Sequence, residues 1–257
     1  MKTIDFSSYL SIKIGSKIDV KIIKKPQDCS EYRVIGGANN LLISPNPPKL
    51  AILGKEFDFI TKKDDSLHIG GATVSGKILS YAKKHNIANF ELMQKLPGTL
   101  GGMVKMNAGL KEWEIFNHLI AIKTENGWIV KDDIDYGYRY TKINGTIFEA
   151  KFEIQSGFDL TLLDMFKKLR DKQPQQPSAG SCFKNPKGFF AGDLLDRADL
   201  KGYQIGDMAF SEKHANFLVN LGDGTYEDAI KLIEIAKKRV FEKFGVKLEL
   251  EIEVLGH

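Results

Sequence analysis

Residues 177–186 read Pro-Ser-Ala-Gly-Ser-Cys-Phe-Lys-Asn-Pro, and they place the hydroxyl of Ser181 among small residues. The cation Lys184 and the amide Asn185 follow within four residues of that hydroxyl. Composition alone favours an ordinary polar turn here, because serine, glycine, asparagine and proline are common turn residues. The alternative is a loop that presents Ser181 to a substrate.

Cys182, next to this hydroxyl, is one of two cysteines in the chain. One interpretation is a nucleophile paired with His214, but nothing in the local sequence would activate a thiol, so we predict a buried, inert one. The chain has no C-x-x-C pair and no His/Cys ligand spacing. This argues against a disulfide scaffold and a zinc site, and it favours a reducing compartment.

Three other polar clusters are ambiguous when each is considered alone. Residues 211–217 (SEKHANF) carry His214 and Asn216, which either contact a polar ligand or serve the structure. Arg139 lies among tyrosines in residues 136–141, a setting more typical of a packed, stacked arginine. Glu251 alternates with apolar residues near the C-terminus, as on the solvated face of a strand.

Glycine-rich segments occupy three positions in the first half: residues 36–41 (GGANNL), 70–72 (GGA) and 97–109 (PGTLGGMVKMNAG). Lacking a Cβ, glycine lets backbone N–H groups converge on an anion or approach a flat ring. None of the segments matches the common nucleotide-binding patterns, and each alone is more typical of a turn. Together, a dinucleotide cradle and a set of ordinary turns are equally favoured.

Periodicity predicts mixed helices and strands without a regular βαβ repeat, which indicates an α+β fold. We place a domain boundary near residue 155, where the pattern changes. The predicted elements are a strand at 17–22, a helix from Ser75 to Asn86, a hairpin at Asn126-Gly127, a helix starting at Thr161 with Asp164, helices over 191–198 and 225–244, and a strand over 248–254.

The 257 residues are 42% hydrophobic and 27% charged, as in ordinary soluble globular proteins. The net charge of +4 comes from interspersed charges of both signs, so no nucleic-acid partner is implied. A mild positive balance suits anionic small substrates. We find no signal peptide and no stretch near the roughly 18 apolar residues of a membrane span, so we expect a cytoplasmic protein without a membrane partner.

In order, the segments resemble those of the UDP-N-acetylenolpyruvoylglucosamine reductase (MurB) family, from about Ile14 to Gly256. The residues that carry the resemblance are GGANNLL (36–42), KLPGTLGGMVKMNAG (95–109), YRYT (138–141), PSAGSCFKNP (177–186), AGDLLDRADLKG (191–202), SEKHANFLVN (211–220) and EIEVLG (251–256). The spacing of the PSAGS and SEKHANF segments is the most specific part. The short stretch between Arg139 and Ser181 resembles the shorter, type II-like subgroup.

The resemblance implies a fold and a domain assignment. Residues 1–155 would form an FAD-binding domain of the vanillyl-alcohol-oxidase/MurB type. Residues 156–257 would form a smaller α+β substrate-binding domain. The family pattern has glycine where this chain has Ala38 and Asp199, and arginine where it has Glu253. It also has a different sequence after Gly109, where Leu110-Lys111-Glu112 follows here.

The resemblance also implies an activity: NADPH-dependent, FAD-containing reduction of UDP-N-acetylglucosamine enolpyruvate to UDP-N-acetylmuramate in peptidoglycan synthesis. Arg139 would stabilise charge on the substrate carboxylate, Ser181 would donate a proton, and Glu251 would orient the enol ether. FAD would be bound non-covalently and NADPH would be the co-substrate. No metal is implied, and we expect a monomer.

The binding residues are carried over from the matched segments. Those for the substrate are Lys184, Asn185, His214 and Asn216. Those for FAD are Gly36, Gly37, Ala38, Asn39, Asn40, Leu41, Gly70, Gly71, Ala72, Pro97, Gly98, Thr99, Gly101, Gly102, Asn107, Ala108 and Gly109.

Two alternatives stay open on the sequence. One is an oxidase or dehydrogenase of the same flavin fold acting on a small alcohol or sugar. Such enzymes often tether flavin to a histidine in the first glycine loop, and residues 36–42 contain none. The other is an inactive flavin- or UDP-sugar-binding module, against which the presence of Arg139, Ser181 and Glu251 argues.

Overall fold

The structure, a computed structural model, describes residues 1–256. Its α-helices are α1 (Phe6–Tyr9), α2 (Ser75–Lys84), α3 (Leu100–Lys105), α4 (Leu160–Asp171), α5 (Ala191–Arg197) and α6 (Tyr226–Phe244). Its strands are β1 (Lys2–Asp5), β2 (Lys17–Ile23), β3 (Arg33–Ile35), β4 (Leu41–Ile43), β5 (Leu50–Leu53), β6 (Ile60–Lys63), β7 (Ser66–Gly70), β8 (Gly109–Leu110), β9 (Trp113–Glu114), β10 (Leu119–Thr124), β11 (Gly127–Val130), β12 (Tyr136–Gly137), β13 (Tyr140–Thr141), β14 (Glu149–Glu153), β15 (Ser178–Ser181), β16 (Gln204–Ile205), β17 (Met208–Phe210), β18 (Phe217–Asn220) and β19 (Glu253–Leu255). This mixture lacks a regular βαβ repeat, so the predicted α+β class is confirmed.

The chain forms two compact units that are not continuous in sequence. Unit 1 comprises residues 1–2, 20–37 and 49–170, and unit 2 comprises residues 3–19, 38–48 and the chain from Asp171 onward. These units are defined by packing, which does not identify a ligand. The assignment of residues 1–155 to FAD and 156–257 to substrate therefore stays a prediction.

Unit 1 is built on a five-stranded antiparallel sheet in the order β11-β10-β14-β7-β6. Helices α2 and α3 contribute to its core, which contains Ile78 and Val104 together with Ile69 and Ala150 from the sheet. Strands β2, β5 and β3 pair in parallel. The predicted hairpin at Asn126-Gly127 is confirmed, with Thr124 opposite Gly127.

Unit 2 contains an antiparallel sheet in the order β15-β18-β17-β16, against which α6 packs. A separate parallel pair joins β19 to β4. The N-terminal segment of the chain is anchored in this unit, because Asn220 Nδ2 donates a hydrogen bond to the Ile12 carbonyl at 3.1 Å. Residues near both chain ends thus contribute to one unit.

Helix ends confirm one sequence prediction and correct another. At the start of α6, Thr225 accepts a hydrogen bond from the Asp228 N–H, as predicted. At its end, Gly245 caps the helix with φ +69°, also as predicted. At α4 the predicted start at Thr161 is wrong. Asp159 caps this helix by accepting the N–H groups of Thr161 and Leu162, because its carboxylate lies before the first turn.

Candidate functional site

The three glycine-rich segments converge within unit 1. Gly101 N–H donates to the Gly71 carbonyl at 2.9 Å, and a Cβ on Gly101 would lie 3.2 Å from that oxygen. A Cβ on Gly36 would collide with Thr99 Oγ1. The glycines therefore allow backbone segments from three parts of the sequence to meet. The convergence fits a cradle for a cofactor. The close contacts that require glycine, however, join these backbone segments to one another.

The second glycine segment is fully engaged in internal packing. A Cβ on Gly70 or Gly71 would collide with the carbonyl of Phe57 or Ile147, respectively. The N–H groups of Gly70, Gly71 and Ala72 donate to carbonyls of unit 1 at 2.8–3.0 Å. These two glycines are required for the fold whether or not a cofactor lies beside them.

Residues 38–41, the rest of the first glycine segment, belong to unit 2. Ala38 has φ +53°, a left-handed conformation that explains the glycine of the family pattern at this position. Asn40 Nδ2 donates to the Glu251 carbonyl at 2.9 Å, and the Asn40 carbonyl accepts from Glu253 N–H at 2.9 Å. The loop is thus bound directly to the segment that carries Glu251.

Ser181 and Glu251 are brought together in unit 2 by backbone pairing. Ser181 ends β15 and lies opposite Phe217 in β18. The carbonyl of the next residue, Cys182, accepts the Glu251 N–H at 2.9 Å. The continuous strand predicted over 248–254 is wrong: Leu250 forms an isolated bridge, and β19 begins only at Glu253, where the chain turns to pair with β4.

Cys182 is buried, as predicted, and burial raises the pKa of its thiol. Its N–H donates to the Asn216 carbonyl at 2.6 Å. A thiol that resists ionisation is a poor nucleophile. The nucleophile interpretation with His214 therefore has no support in this geometry.

The four predicted substrate residues all lie in unit 2, and two of their amides already bind backbone. Asn216 accepts from Phe183 N–H at 3.0 Å and donates to the Phe183 carbonyl at 2.8 Å. Asn185 Oδ1 accepts from the N–H of Ala191, the first residue of α5. Lys184 N–H donates to the Glu249 carbonyl at 2.9 Å.

His214, the fourth, is an exposed residue whose ring nevertheless packs against Phe217, with 5.2 Å between ring centroids. Loss of surrounding water lowers the pKa of His214 below its ordinary value, and the positive charge of Lys201 acts in the same direction. A neutral ring can then accept a hydrogen bond, and Nδ1 accepts from Asn216 N–H at 3.3 Å.

Arg139 occupies the turn between β12 and β13 with φ +58°, an unusual conformation for a residue other than glycine. Its side chain is 12% exposed. Nη1 donates to the Asn107 carbonyl at 3.3 Å, and Nη2 donates to the Gly109 carbonyl at 2.6 Å. The guanidinium also lies 5.1 Å from the Tyr138 ring centroid, so the predicted stacked arginine is confirmed.

The segment after Gly109, where the chain departs from the family pattern, forms the tight hairpin β8–β9. Lys111 makes the turn possible with φ +55°. The hairpin places Glu114 Oε1 4.0 Å from Arg139 Nη1. This segment therefore helps to hold Arg139, a role that the sequence did not reveal.

Asn107 joins the two hairpins from a fully buried position. Its Nδ2 donates to Glu114 Oε2 at 2.7 Å and to the Gly137 carbonyl at 3.0 Å, while Oδ1 accepts from Phe116 N–H at 3.3 Å. The side chain thus has partners inside the protein on both its oxygen and its nitrogen. Sequence reasoning assigned Asn107 to FAD and did not detect its contacts with the support of Arg139.

Arg170, near the end of α4, is a buried arginine that sequence reasoning missed. Burial, together with the nearby charge of Arg139, lowers the pKa of Arg170 to about 10, so it stays charged at neutral pH. The available signal was its place one turn after Phe166 on the apolar stripe of the helix.

Two kinds of feature were not found in residues 1–256. No helix there is both long enough and apolar enough to cross a bilayer. No group of three His, Cys, Asp or Glu side chains in the same range is arranged to hold a metal ion.

Comparison with known proteins identifies relatives along almost the whole chain. Residues 173–255 match the family model described as UDP-N-acetylenolpyruvoylglucosamine reductase, C-terminal domain. Proteins named UDP-N-acetylenolpyruvoylglucosamine reductase are 51% identical in Helicobacter hepaticus, over 98% of both chains, and 45% identical in Campylobacter jejuni, over 98% of this chain and 99% of the relative. The crystal structure of UDP-N-acetylenolpyruvylglucosamine reductase (MurB) from Thermus caldophilus superposes with a TM-score of 0.84 at 27% identity, over 99% of this chain and 98% of that one.

Proposed function

The chain belongs to the UDP-N-acetylenolpyruvoylglucosamine reductase family, and on that premise we propose that its site reduces the enolpyruvyl ether with bound FAD and with NADPH as co-substrate. The protein is an oxidoreductase of peptidoglycan synthesis. The reaction converts UDP-N-acetylglucosamine enolpyruvate to UDP-N-acetylmuramate. The family relationship supports the reaction, and the geometry supports the assignment of roles to residues.

The converging glycine segments of unit 1 fit a flavin cofactor. A Cβ on Gly102 would have Thr99 Oγ1, at 3.8 Å, as its nearest neighbour, so this backbone is open on one side. Within unit 1, Gly36, Gly37 and the segment from Pro97 to Gly102 would hold FAD, and for Ala38 to Leu41 the same role rests on the family resemblance alone. When bound, FAD would supply hydride chemistry, with NADPH as the source of the hydride.

Arg139 would stabilise the negative charge that hydride addition sends into the substrate carboxylate. Bonds to the carbonyls of Asn107 and Gly109, with Glu114 nearby, fix the guanidinium before any ligand arrives. A cation already held in place stabilises developing charge without reorganisation. Its left-handed backbone is consistent with a functional position, where such strain tends to occur.

The backbone bond between Cys182 and Glu251 is the observation that carries the assignment of Ser181 and Glu251. It makes the proposed proton donor and the proposed orienting carboxylate neighbours, although 70 residues separate them in sequence. Ser181 would protonate the α-carbon, because an enolate-like carbon is basic enough to take a proton from a hydroxyl. Glu251 would orient the enol ether, and Lys184, Asn185, His214 and Asn216 would lie along the substrate.

The cytoplasm is the proposed compartment, since a nucleotide sugar and NADPH are both available there. Two free cysteines are consistent with reducing conditions. The proposed catalytic residues all come from a single chain, so a monomer suffices for the reaction.

The test is NADPH consumption by the purified protein with and without the enolpyruvyl UDP-sugar, with the product identified by mass. We expect a yellow protein that releases FAD on denaturation and consumes NADPH rapidly only when the sugar is present. A colourless protein that takes up no added FAD would refute the cofactor assignment. Turnover of small alcohols in place of the UDP-sugar would refute the substrate assignment.

A further inference from the structure

The Arg170 guanidinium has an unpaired edge inside unit 1. The residue is 8% exposed, and its Nε and Nη2 atoms have no hydrogen-bond partner among residues 1–256. These two nitrogens point their N–H groups to the same side of the planar group, the arrangement that grips two oxygens of a carboxylate or phosphate. Burying a charge costs folding free energy unless the charge is paired, so we expect this edge to bind an anionic group.

Helix α4 places Arg170 in the same packed cluster as Arg139. Phe166, one turn earlier on the same helix face, packs edge-on against Trp113 with 5.4 Å between ring centroids. Trp113 precedes Glu114 in β9, and Glu114 lies 4.0 Å from Arg139. Both arginines therefore lie around the β8–β9 hairpin.

The acid in this cluster does not pair with Arg170. Glu114 interacts with Asn107 through Oε2 and with Arg139 through Oε1. The causes that lower the pKa of Arg170 are burial and the positive charge of Arg139, and no carboxylate offsets them. The cluster thus contains two guanidinium groups and one carboxylate, which pairs with Arg139 alone, so its net charge is positive.

We propose that the Nε–Nη2 edge of Arg170 binds two oxygens of an anionic group on a bound ligand, next to the site of Arg139. This rests on the proposed function, which supplies three anionic ligands. FAD carries a pyrophosphate, NADPH carries a pyrophosphate and a further phosphate, and the enolpyruvyl UDP-sugar carries a carboxylate and a pyrophosphate. All of these groups offer the paired oxygens that the edge of the guanidinium fits.

The decisive variant is Arg170→Met, which keeps most of the side-chain volume and removes the charge. Lys167→Met, at an exposed position on α4, is the matched control. For each protein we would measure the melting temperature without flavin, the FAD dissociation constant, and the rates of flavin reduction by NADPH and of reoxidation by the UDP-sugar at varied concentration.

We expect flavin-free Arg170→Met to melt at or above the wild-type temperature, because an unpaired buried charge is removed. A tenfold or greater loss of FAD affinity would identify FAD as the ligand. Unchanged FAD affinity with a tenfold or greater rise in the sugar concentration needed for half-maximal reoxidation would identify the substrate, and the same rise in the NADPH concentration needed for half-maximal reduction would identify NADPH. Arg170→Lys should restore less than half of the loss on a logarithmic scale, because an ammonium cannot bind two oxygens side by side.

Two results would overturn the inference. One is Arg170→Met binding FAD, NADPH and the UDP-sugar each within twofold of the wild type. The other is a marked fall in its flavin-free melting temperature, or failure to fold, since either would reveal a partner inside the protein. A wild-type protein that binds neither FAD nor the UDP-sugar would refute the proposed function instead, so the two failures are distinguishable.

Discussion

The surroundings of Arg139 and those of Ser181 hold a candidate catalytic side chain in different ways. Arg139 sits at a left-handed turn and is fixed by its own side-chain bonds to the carbonyls of Asn107 and Gly109. Ser181 is held in place by backbone pairing: β15 pairs with β18 on one side, and the adjacent Cys182 bonds to Glu251 on the other. The first arrangement depends on particular side chains. The second depends mainly on a backbone ladder, which tolerates side-chain replacement.

The largest effect should follow from Ser181→Ala, which removes the proposed proton donor and leaves the ladder intact. We expect reoxidation of the flavin by the UDP-sugar to slow by roughly 10²–10⁴-fold, the usual contribution of a general acid. Flavin reduction by NADPH should stay near the wild-type rate, because that step needs no proton from Ser181. Anaerobic stopped-flow absorbance separates the two steps.

Ser178→Ala is the matched control, since Ser178 lies in the same strand and is similarly half-buried. It should change neither half-reaction. Slowed reduction of the flavin by NADPH with normal reoxidation in Ser181→Ala would place this hydroxyl at the nicotinamide site and contradict the assignment.

Arg139→Lys should have the second-largest effect on turnover, because it removes the guanidinium that the carbonyls of Asn107 and Gly109 hold in place. An ammonium is a point charge and does not reproduce a planar guanidinium with fixed N–H directions. Loss of one preorganised donor typically raises a barrier by roughly 2.7–4 kcal/mol, or about 10²–10³-fold in rate. Steady-state turnover measures it, with the exposed Arg197→Lys as the control. Near-normal turnover would mean that Arg139 only packs.

Two buried asparagines provide a direct comparison of stability between the regions. Asn107→Ala removes two donated bonds, one of them to a carboxylate, and leaves the half-buried Glu114 Oε2 with one partner fewer. Asn216→Ala removes bonds to the backbone of Phe183 only. Leaving buried polar groups unpaired costs about 1–3 kcal/mol each and more for charged groups, so we expect the larger loss of unfolding free energy at Asn107.

Urea denaturation of the two variants tests this order. Asn117→Ala, at an exposed amide, should change the unfolding free energy by less than about 0.5 kcal/mol. An equal or larger loss at Asn216 would show that the backbone ladder around Ser181 is as dependent on a side chain as the support of Arg139.

The sequence also predicts the surroundings of Ser181 better than those of Arg139. Local periodicity and capping located α2, α6 and the hairpin at Asn126-Gly127, because short-range patterns dominate there. The motif around Ser181 was visible as consecutive residues. The support of Arg139 was not, because it joins side chains from hairpins 30 residues apart whose turns rely on left-handed Lys111 and Arg139.

The errors also have local physical causes. The start of α4 was misplaced because a carboxylate at Asp159 competes with a hydroxyl at Thr161 for the same free N–H groups. The last strand was predicted as continuous because alternation persists through residues whose pairing changes from the Cys182 segment to β4. Arg170 received no assignment from the sequence, since its burial comes from tertiary packing.

The smallest predicted effect is a change in unfolding free energy at Asp199, where the backbone is left-handed. Asp199 has φ +58°, the same as Arg139, but its side chain is 87% exposed and its polar contact is with Lys243 at the surface. It follows α5, where Leu200 N–H bonds to the Leu195 carbonyl and Asp199 N–H bonds to the Asp196 carbonyl. This kind of helix end favours glycine.

Asp199→Gly should raise the unfolding free energy by about 0.5 kcal/mol, since relief of the left-handed strain exceeds the loss of a weak surface ion pair. Asp199→Ala should lower it, because alanine keeps the strain and loses the pair. Thermal unfolding of the two variants gives shifts of opposite sign if the left-handed backbone is strained, and it measures that cost at a φ that Arg139 shares. Equal shifts for glycine and alanine would mean that the turn carries no strain, and that side-chain bonds alone distinguish the Arg139 region.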